Sequence, residues 1–276
     1  MKFLITGCGG FVGRYLCEEL ESEEHEVVCM GYQESEASEL EALDVTKLDE
    51  VRVIFDTERP DAVLHLAGLS RATHDTLSRA LAVNVCGSVN VARAAQEVSA
   101  HGVVVNACYV YKPVPGALGE DAELAPSTLY GITRLAMEQA VRLTAAPEML
   151  TLVRAFNHTG PVQSDDFLVP SLVQRALAVR AGDRSELEYW LGSPVRDVSD
   201  VRDIVRAYRL LAESRVCGTY NVGSGVGRSV REIVAIVCRE VGIPESVSRE
   251  KLLEAPAADS VLARRRGSPP SSLVAS

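Results

Sequence analysis

Short apolar runs recur along the first part of the chain, and the stretches between them have the spacing of amphipathic helices. The runs are rich in Val, Leu and Ile and do not alternate with polar residues; they cover residues 3–6, 27–30, 62–66, 103–107 and 150–155. Strands that helices cover on both faces have this pattern, whereas strands with one solvated face alternate. The order of strand and helix predicts an α/β fold with a doubly wound parallel sheet.

The sequence pattern divides the chain into a larger and a smaller part. We expect residues 1–155 to form the domain that holds the sheet, with 195–222 returning to it as a helix and a strand. Prolines interrupt the regular alternation after this domain, so 156–194 and 223–254 are assigned to a smaller lobe. Residues 255–276 are rich in Ala, Ser, Pro and Arg and are predicted to be a disordered tail.

Composition and charge exclude several classes of protein. The chain has 276 residues, of which 47% are hydrophobic and 24% are charged, as is typical of a folded globular protein. Its 28 Lys and Arg against 38 Asp and Glu give a net charge of −10, which disfavours binding to nucleic acid. No apolar run approaches the length of a membrane span or a signal sequence, so we expect a cytoplasmic protein without membrane contact.

The cysteines do not form a recognisable pattern. There are seven, an odd number, and no two of them are spaced as C-x-x-C. Their spacing predicts neither a disulfide framework nor a zinc site. We therefore interpret them as buried thiols of a cytosolic protein.

A glycine-rich turn directly follows the first predicted strand. Residues 6–13 are Thr-Gly-Cys-Gly-Gly-Phe-Val-Gly, with the glycines in G-x-x-G-x-x-G spacing. Glycines let the backbone approach a pyrophosphate, and the N-terminus of the next helix offers free N–H groups and a partial positive charge. With a strand before it and a helix after it, this loop predicts dinucleotide binding by Gly7, Gly10, Phe11, Val12 and Gly13.

The choice between NAD and NADP depends on the end of the second predicted strand. NAD-specific sites carry a carboxylate there for the adenosine ribose, but the residues are Met30-Gly31-Tyr32. Arg14, just past the glycine loop, is placed to meet a 2′-phosphate, so NADP(H) is slightly preferred. Asp44 and Val45 follow a predicted loop and are candidates for contact with the adenine.

Five motifs, in this order, resemble the extended short-chain dehydrogenase/reductase family, whose members act on nucleotide sugars. They are the glycine loop, Asp44-Val45, His65-Leu66-Ala67-Gly68, the segment beginning Asn84-Val85, and Tyr130-Gly131-Ile132-Thr133-Arg134. The resemblance covers residues 1 to about 240. It implies a Rossmann domain that holds NAD(P)H, with Leu66, Ala67, Gly68 and Asn84 among the cofactor-binding residues. It also implies a small C-terminal lobe that holds a nucleotide diphosphate sugar.

Within the family, residues 154–163 and 196–203 are most similar to the GDP-4-keto-6-deoxy-mannose reductases of GDP-rhamnose synthesis. This similarity implies a GDP-sugar substrate and a homodimer. Because the chain is acidic overall, local arginines are needed to hold the diphosphate. We assign Arg196 and Arg175 to substrate binding, together with Asn157.

In this family, the Tyr of a Y-x-x-x-K motif gives a proton to the substrate oxygen, and the Lys supplies a cation to the phenol and bonds the nicotinamide ribose. The resemblance places Tyr130 at the Tyr position and Arg134 at the Lys position, one helical turn later. The family's Ser or Thr, four residues before Tyr111, is Ala107, and its neighbours Asn106 and Cys108 are the candidate replacements, of which Cys108 is assigned to the catalytic group. The predicted catalytic group is therefore Tyr130, Arg134 and Cys108, with two of the three positions altered.

Three functions are consistent with these residues. The favoured one is an NAD(P)H-dependent reductase of a nucleotide-activated 4-keto-6-deoxy sugar. A second is a dinucleotide-binding protein whose catalytic site has decayed, as the altered catalytic positions suggest. A third is an epimerase or dehydratase of a nucleotide sugar; elimination is disfavoured because Cys108-Tyr109 stands where dehydratases carry an acid pair.

Overall fold

The computed structural model describes residues 1–31, 41–190, 195–251 and 262–263. Its strands are β1 (Lys2–Thr6), β2 (Glu26–Gly31), β3 (Glu41–Ala42), β4 (Ala62–His65), β5 (His101–Ala107), β6 (Ala117–Leu118), β7 (Leu150–Ala155), β8 (Asn157–Thr159), β9 (Leu187–Trp190), β10 (Val195–Asp200), β11 (Gly218–Val222), β12 (Gly227–Ser229), β13 (Ser248–Lys251) and β14 (Leu262–Ala263). Its α-helices are α1 (Phe11–Ser22), α2 (Leu48–Glu58), α3 (Leu77–Leu81), α4 (Ser88–Glu97), α5 (Leu129–Thr144), α6 (Leu168–Ala181), α7 (Val201–Glu213) and α8 (Val230–Val241). Shorter helical turns are π-helical at Ala82–Gly87 and 3₁₀ at Cys108–Val110, Pro147–Met149 and Glu245–Val247.

Seven parallel strands form the main sheet, in the order β11-β7-β5-β4-β1-β2-β3. The order reverses between β1 and β4, so the chain runs outward in opposite directions from this point. The doubly wound parallel sheet predicted from the sequence is confirmed, and the five apolar runs lie in β1, β2, β4, β5 and β7. Open sheets of this kind bind ligands at the carboxyl ends of the strands, where the order reverses.

Helices cover both faces of this sheet. Along β1, Phe3 and Ile5 face a core formed with α1 and α7, whereas Leu4 faces a second core formed with α2 and α4. All three side chains are fully buried. Both faces of the strand therefore need apolar residues, which explains why the runs do not alternate.

A separate core lies between α6 and α8 and includes Leu172, Ala176, Ile233 and Val237. Beside it, β10 pairs in parallel with β8 and antiparallel with β12. The segment 195–222 thus contributes to two regions. Its second part, α7 and β11, packs on α1 and pairs with β7, whereas β10 belongs to the three-stranded sheet and not to the sheet-bearing domain as expected.

Two residues of the predicted disordered tail are ordered. Leu262 and Ala263 pair in parallel with β6, and the Ala263 nitrogen donates a hydrogen bond of 3.2 Å to Asp197 Oδ2. The prediction is corrected at these two positions, and the other residues of 255–276 lie outside the described residues. Within the described ranges, no helix combines the length and the apolar character that crossing a membrane would require.

Candidate active site

The glycine loop connects β1 to α1 at the point where the strand order reverses. Gly7 has a φ of +86°, which residues with a Cβ rarely adopt, and a Cβ there would lie 2.8 Å from the Ala67 nitrogen. A Cβ on Gly13 would clash with the carbonyl oxygen of Gly7. The loop therefore packs closely against both the first turn of α1 and the loop after β4, and only glycine permits this packing.

The N-terminus of α1 is open to a ligand. Its N-cap residue is Gly10, and among the described residues no side chain caps the first turn. The N–H groups of Phe11, Val12 and Gly13 therefore lack helical partners, and the helix dipole favours an anion beside them. The ring of Phe11 stacks on that of His158 with the centroids 6.2 Å apart. These features fit the pyrophosphate of a dinucleotide.

The residues that were predicted to contact the adenosine half of the dinucleotide differ in how accessible their side chains are. Asp44 Oδ1 accepts hydrogen bonds from Thr46 Oγ1 (2.7 Å) and the Thr46 nitrogen (3.0 Å), and these bonds hold the Asp44 pKa below its usual value. Val45 is buried in the core with α2 and α4, so only its backbone is available to an adenine. Arg14 is exposed and makes no ion pair with the described residues. Tyr32 lies outside the described residues.

Asn84 holds the loop that follows β4. Its Oδ1 accepts from the Leu69 nitrogen at 2.8 Å, and its Nδ2 donates to the Leu69 oxygen (3.2 Å) and to Thr133 Oγ1 (3.0 Å). Both N–H donors of this fully buried side chain are thus taken, so Asn84 positions the loop against α5, in contrast to the predicted contact with cofactor. Residues 66–68 run directly past the glycine loop and stay candidates for that contact.

His65, at the end of β4, links β1 to α4, and the sequence analysis assigned it no role of its own. Its Nδ1 lies 2.7 Å from Thr6 Oγ1, and its Nε2 lies 2.8 Å from Ser88 Oγ. Because the Ser88 hydroxyl donates to the Asn84 oxygen, it accepts from Nε2–H, and Nδ1 accepts from Thr6. Burial, with a smaller effect from the charge of Arg134, lowers the His65 pKa to about 3, so the ring is neutral. Its signals in the sequence are its place in the motif His65-Leu66-Ala67-Gly68 and its polar side chain inside an apolar run.

Tyr130 and Arg134 meet at the start of α5. The helix begins after Thr128, whose Oγ1 accepts a hydrogen bond of 3.0 Å from the Gly131 nitrogen. Arg134 Nε donates to the Tyr130 hydroxyl at 3.1 Å. The Arg134 side chain is largely buried and reaches Gly68, where a Cβ would lie 2.7 Å from Nη2. The phenol thus has a cation beside it.

Cys108 does not replace the hydroxyl that is missing at Ala107. It is 2% exposed and packs in an apolar cluster with Val110, Tyr111 and Phe156. Burial raises the pKa of its thiol to about 12, so the thiol stays neutral. A neutral thiol is a weak hydrogen-bond donor, so the assignment of Cys108 to the catalytic group is corrected.

A buried ion pair lies behind the end of β5, and the sequence analysis did not identify it. Arg154 Nη2 is 2.5 Å from Glu138 Oε1, and Arg154 Nε donates to Oε2 at 3.0 Å. Asn106 Nδ2 also donates to Glu138 Oε2, at 2.8 Å. Burial raises the Glu138 pKa, but the bonds to Arg154 outweigh it and the pKa lies below its usual value. Asn106 is therefore held by this pair and is not a replacement for the missing hydroxyl.

Polar groups near Tyr130 form a surface that suits a sugar and its phosphates. The ring of Tyr109 meets that of Tyr130 edge-on at 5.9 Å, and the Tyr109 hydroxyl donates to Asn157 Oδ1 at 3.3 Å. Asn157 Nδ2 is buried and has no hydrogen-bond partner among the described residues. Burial raises the Tyr109 pKa, and the nearby charge of Arg196 partly offsets this effect. Asn157, with a donor, and Arg196, with a positive charge, are thus both near Tyr109, whose ring contacts that of Tyr130.

The other predicted substrate residue, Arg175, is used elsewhere. Its Nη1 donates to the Glu188 oxygen at 3.0 Å, which joins α6 to β9. The neighbour of Arg196, Asp197, is fully buried and accepts hydrogen bonds from Ser224 and Gly225. Arg175 is therefore a contact within the small lobe, and Asp197 holds in place the strand that carries Arg196.

Comparison with known proteins agrees with this geometry. Residues 3–223 match the model of the NAD dependent epimerase/dehydratase family. The chain is 28% identical to GDP-6-deoxy-D-mannose reductase of Pseudomonas aeruginosa over 248 residues, which cover 86% of this chain and 79% of that protein. It is 29% identical to GDP-6-deoxy-D-talose 4-dehydrogenase of Aggregatibacter actinomycetemcomitans over 246 residues, with the same coverage.

Among solved structures, that of MoeE5 in complex with UDP-glucose and NAD superposes with a TM-score of 0.80. The sequences are 26% identical, and the match covers 99% of this chain and 92% of that one. The family match spans most of the chain and includes the glycine loop, Tyr130 and Arg134. The chain therefore belongs to the NAD-dependent epimerase/dehydratase family.

Proposed function

We propose that this protein is an NAD(P)H-dependent oxidoreductase that reduces the 4-keto group of a nucleotide diphosphate 6-deoxy sugar. The observation that carries the proposal is the Tyr130 hydroxyl, held 3.1 Å from a buried Arg134 guanidinium at the start of α5. This arrangement suits a proton donor because the phenolate left behind is stabilised by the adjacent charge.

The glycine loop and the first turn of α1 fit a dinucleotide, since a Cβ on Gly7 or Gly13 would fill the cradle and the N–H groups of α1 are uncapped. Gly10, Phe11 and Val12 complete the set that would hold its pyrophosphate. When bound, the dinucleotide supplies the hydride. Tyr130 then delivers the proton to the substrate oxygen, and Arg134 holds the phenolate charge until solvent returns a proton.

The nucleotide sugar is assigned to the side of the site formed by Asn157 and Arg196. The unpartnered Asn157 Nδ2 is a hydrogen-bond donor for a sugar hydroxyl, since leaving it buried and unpaired is unfavourable. The charge of Arg196 suits a diphosphate. A GDP 4-keto-6-deoxy sugar is favoured because the two curated relatives reported above act on GDP-6-deoxy sugars. The expected product is the GDP-6-deoxy-hexose, as in GDP-rhamnose synthesis.

NADPH is the cofactor that we favour, because Arg14 is exposed and available to a 2′-phosphate. Titration calorimetry with NADPH and NADH measures this preference directly. Arg14→Ala is expected to weaken NADPH binding by about tenfold and to leave NADH binding unchanged. Equal losses for both cofactors would contradict the preference.

We also propose that the protein is a cytoplasmic homodimer, a dimer being what the resemblance implies. The exposed side chains of Ile132 and Leu143, on the outer face of α5, support a second copy docking there. Light scattering of the purified protein measures the mass in solution, and Leu143→Glu is expected to shift a dimer to the monomer. A monomeric wild-type protein would contradict this part of the proposal.

The reduction is tested with purified GDP-4-keto-6-deoxy-mannose by following the loss of NAD(P)H absorbance and the product mass. Tyr130→Phe is expected to lower kcat by at least ~100-fold, because it removes the proton donor. Tyr189→Phe, in the core of the small lobe, is the matched control and is expected to retain activity. Equal activity of the wild type and Tyr130→Phe would refute the assigned role.

The altered positions define the second candidate, a cofactor-binding protein without turnover. Ala107 lacks the hydroxyl of the family, and losing one such donor lowers rates by on the order of 100-fold or more. Ala107→Ser and Arg134→Lys are therefore expected to raise a measurable wild-type rate. Cofactor binding without turnover in wild type and in both variants would favour the second candidate. Interconversion of UDP-sugars without net NADH use would favour an epimerase.

A further inference from the structure

Three cysteines that are distant in sequence meet beneath the glycine loop. Cys8 lies in the loop, Cys17 on α1 and Cys29 on β2, and their three Sγ atoms all lie within 4.8 Å of one another. Cys8 is buried, whereas Cys17 and Cys29 are half-buried. We call this group the cysteine cluster.

Two of these sulfurs are in direct contact. Cys17 Sγ and Cys29 Sγ are 2.7 Å apart, whereas a disulfide needs about 2.05 Å. Thiolates that share a tetrahedral zinc, with Zn–S of about 2.3 Å, have sulfurs about 3.8 Å apart. No His, Asp or Glu joins the cluster within the described part of the chain. The geometry therefore favours a covalent bond over a shared metal ion.

The surroundings also make one of the sulfurs nucleophilic. Hydrogen bonds from the Cys17 thiol, and secondarily from Cys8, lower the pKa of Cys29 to about 4. The same contact with Cys29 raises the pKa of Cys17 to about 12. Contacts with Cys17 and then Cys29 raise the pKa of Cys8 as well. Within the cluster, the thiolate form is thus favoured at Cys29 and the thiol form at Cys17.

We propose that Cys17 and Cys29 are a redox modification site that forms a reversible disulfide when the protein meets a hydroperoxide such as hydrogen peroxide. The Cys29 thiolate attacks one peroxide oxygen, the O–O bond breaks, and Cys29 becomes a sulfenic acid while hydroxide leaves and takes up a proton. The Cys17 sulfur attacks the Cys29 sulfur, the S–O bond breaks, and the Cys17 proton leaves with the oxygen as water. In sum, two thiols lose two electrons and the peroxide is reduced to two waters.

The site is connected to cofactor binding through the end of β2. The oxygen of Met30, next to Cys29, accepts hydrogen bonds from the backbone nitrogens of Gly7 (2.8 Å) and Cys8 (3.2 Å). The disulfide would therefore tie α1, which follows the glycine loop, to β2, whose Met30 oxygen holds that loop. Oxidation at this site therefore affects α1 and β2, the elements that support the glycine loop. This effect does not depend on which substrate the enzyme takes.

The wild-type protein provides the test, so no substitution is needed for the main result. Trypsin releases Cys17 and Cys29 together in residues 15–47 and Cys8 in residues 3–14. After mild peroxide treatment, the peptide 15–47 is expected to lose the mass of two hydrogen atoms. Cleavage at the glutamates between the two cysteines then leaves two fragments that only a reductant separates.

Variants test the order of the steps. In the double variant Cys8→Ser with Cys17→Ser, no second thiol of the cluster remains, so Cys29 is expected to stop at the sulfenic acid, which dimedone captures. Cys86→Ser is the matched control because Cys86 is exposed and outside the cluster. Any of three results would overturn the proposal: an unchanged 15–47 peptide, oxidation of Cys86 before the cluster, or a metal in equimolar amount in the isolated protein. None of these results depends on turnover, so the proposal stands or fails separately from the proposed function.

Discussion

The buried neutral imidazole of His65 makes a specific prediction about stability and pH. The pKa of His65 is about 3 in the folded protein, against 6.5 for an unperturbed histidine. Between these two values, the unfolded chain holds a proton that the folded chain does not. Acid therefore favours the unfolded state, and the contribution of His65 to stability is complete above about pH 6.5 and is lost as the pH falls toward 3.

The magnitude follows from the same two pKa values. Because pH 5 lies well above the folded value, only the unfolded chain is protonated there, and the loss between pH 7.5 and pH 5 is about 2 kcal/mol. This figure changes little if the folded pKa is anywhere below about 4. His65→Gln keeps an amide that can bond to Ser88 but does not titrate, so its stability is expected to lack this component.

Urea unfolding at both pH values measures the prediction. The free energy of unfolding of the wild type is expected to fall by about 2 kcal/mol more than that of His65→Gln, since the other titrating groups contribute equally to both proteins. NMR titration of the wild type provides a check that does not need the variant. A His65 signal that titrates near its usual pKa, or equal losses of stability in the two proteins, would refute the reasoning.

Three further predictions concern the site. Gly13→Ala places a Cβ against the Gly7 oxygen, so calorimetry is expected to show dinucleotide binding weakened by at least ~10-fold; unchanged affinity would contradict the loop packing. Glu138→Gln leaves Arg154 buried without a charge partner and is expected to lower the free energy of unfolding by about 3–5 kcal/mol in urea, whereas a loss under about 1 kcal/mol would mean the pair is dispensable. Asn157→Ala removes a donor that has no partner among the described residues, and also the acceptor of the Tyr109 hydroxyl, so binding of GDP-mannose should weaken by about tenfold while the free energy of unfolding falls by about 1–3 kcal/mol.

The main sheet could be predicted because its chemistry is local. Strands such as β1 are buried on both faces, so their apolar residues are consecutive and visible in the sequence. The meeting of Tyr130 and Arg134 could also be predicted, because residues four apart share one face of a helix. The glycine loop could be predicted as well, because all of its glycines lie within residues 6–13.

The contacts that the sequence did not reveal join distant segments. Strands such as β8 and β12 have three residues each, too few to show a period. The roles of Asn84 and Arg175 depend on partners in other elements. The sequence alone does not distinguish a polar residue that binds a ligand from one that holds a loop in place. The cysteine cluster unites residues 9 and 12 positions apart in the chain, a spacing that no short motif encodes.

The carboxylate of Asp197 brings together parts of the chain that are far apart in sequence. It accepts hydrogen bonds from Ser224, from Gly225 and from Ala263, and the preceding residue is Arg196, which we propose binds the diphosphate. A ligand that binds Arg196 therefore also affects Asp197, the next residue, and through it the hydrogen bond that holds β14. The rate at which a protease cleaves the chain near residues 262–263, compared with and without a nucleotide sugar, thus measures binding of the sugar even when no reaction takes place.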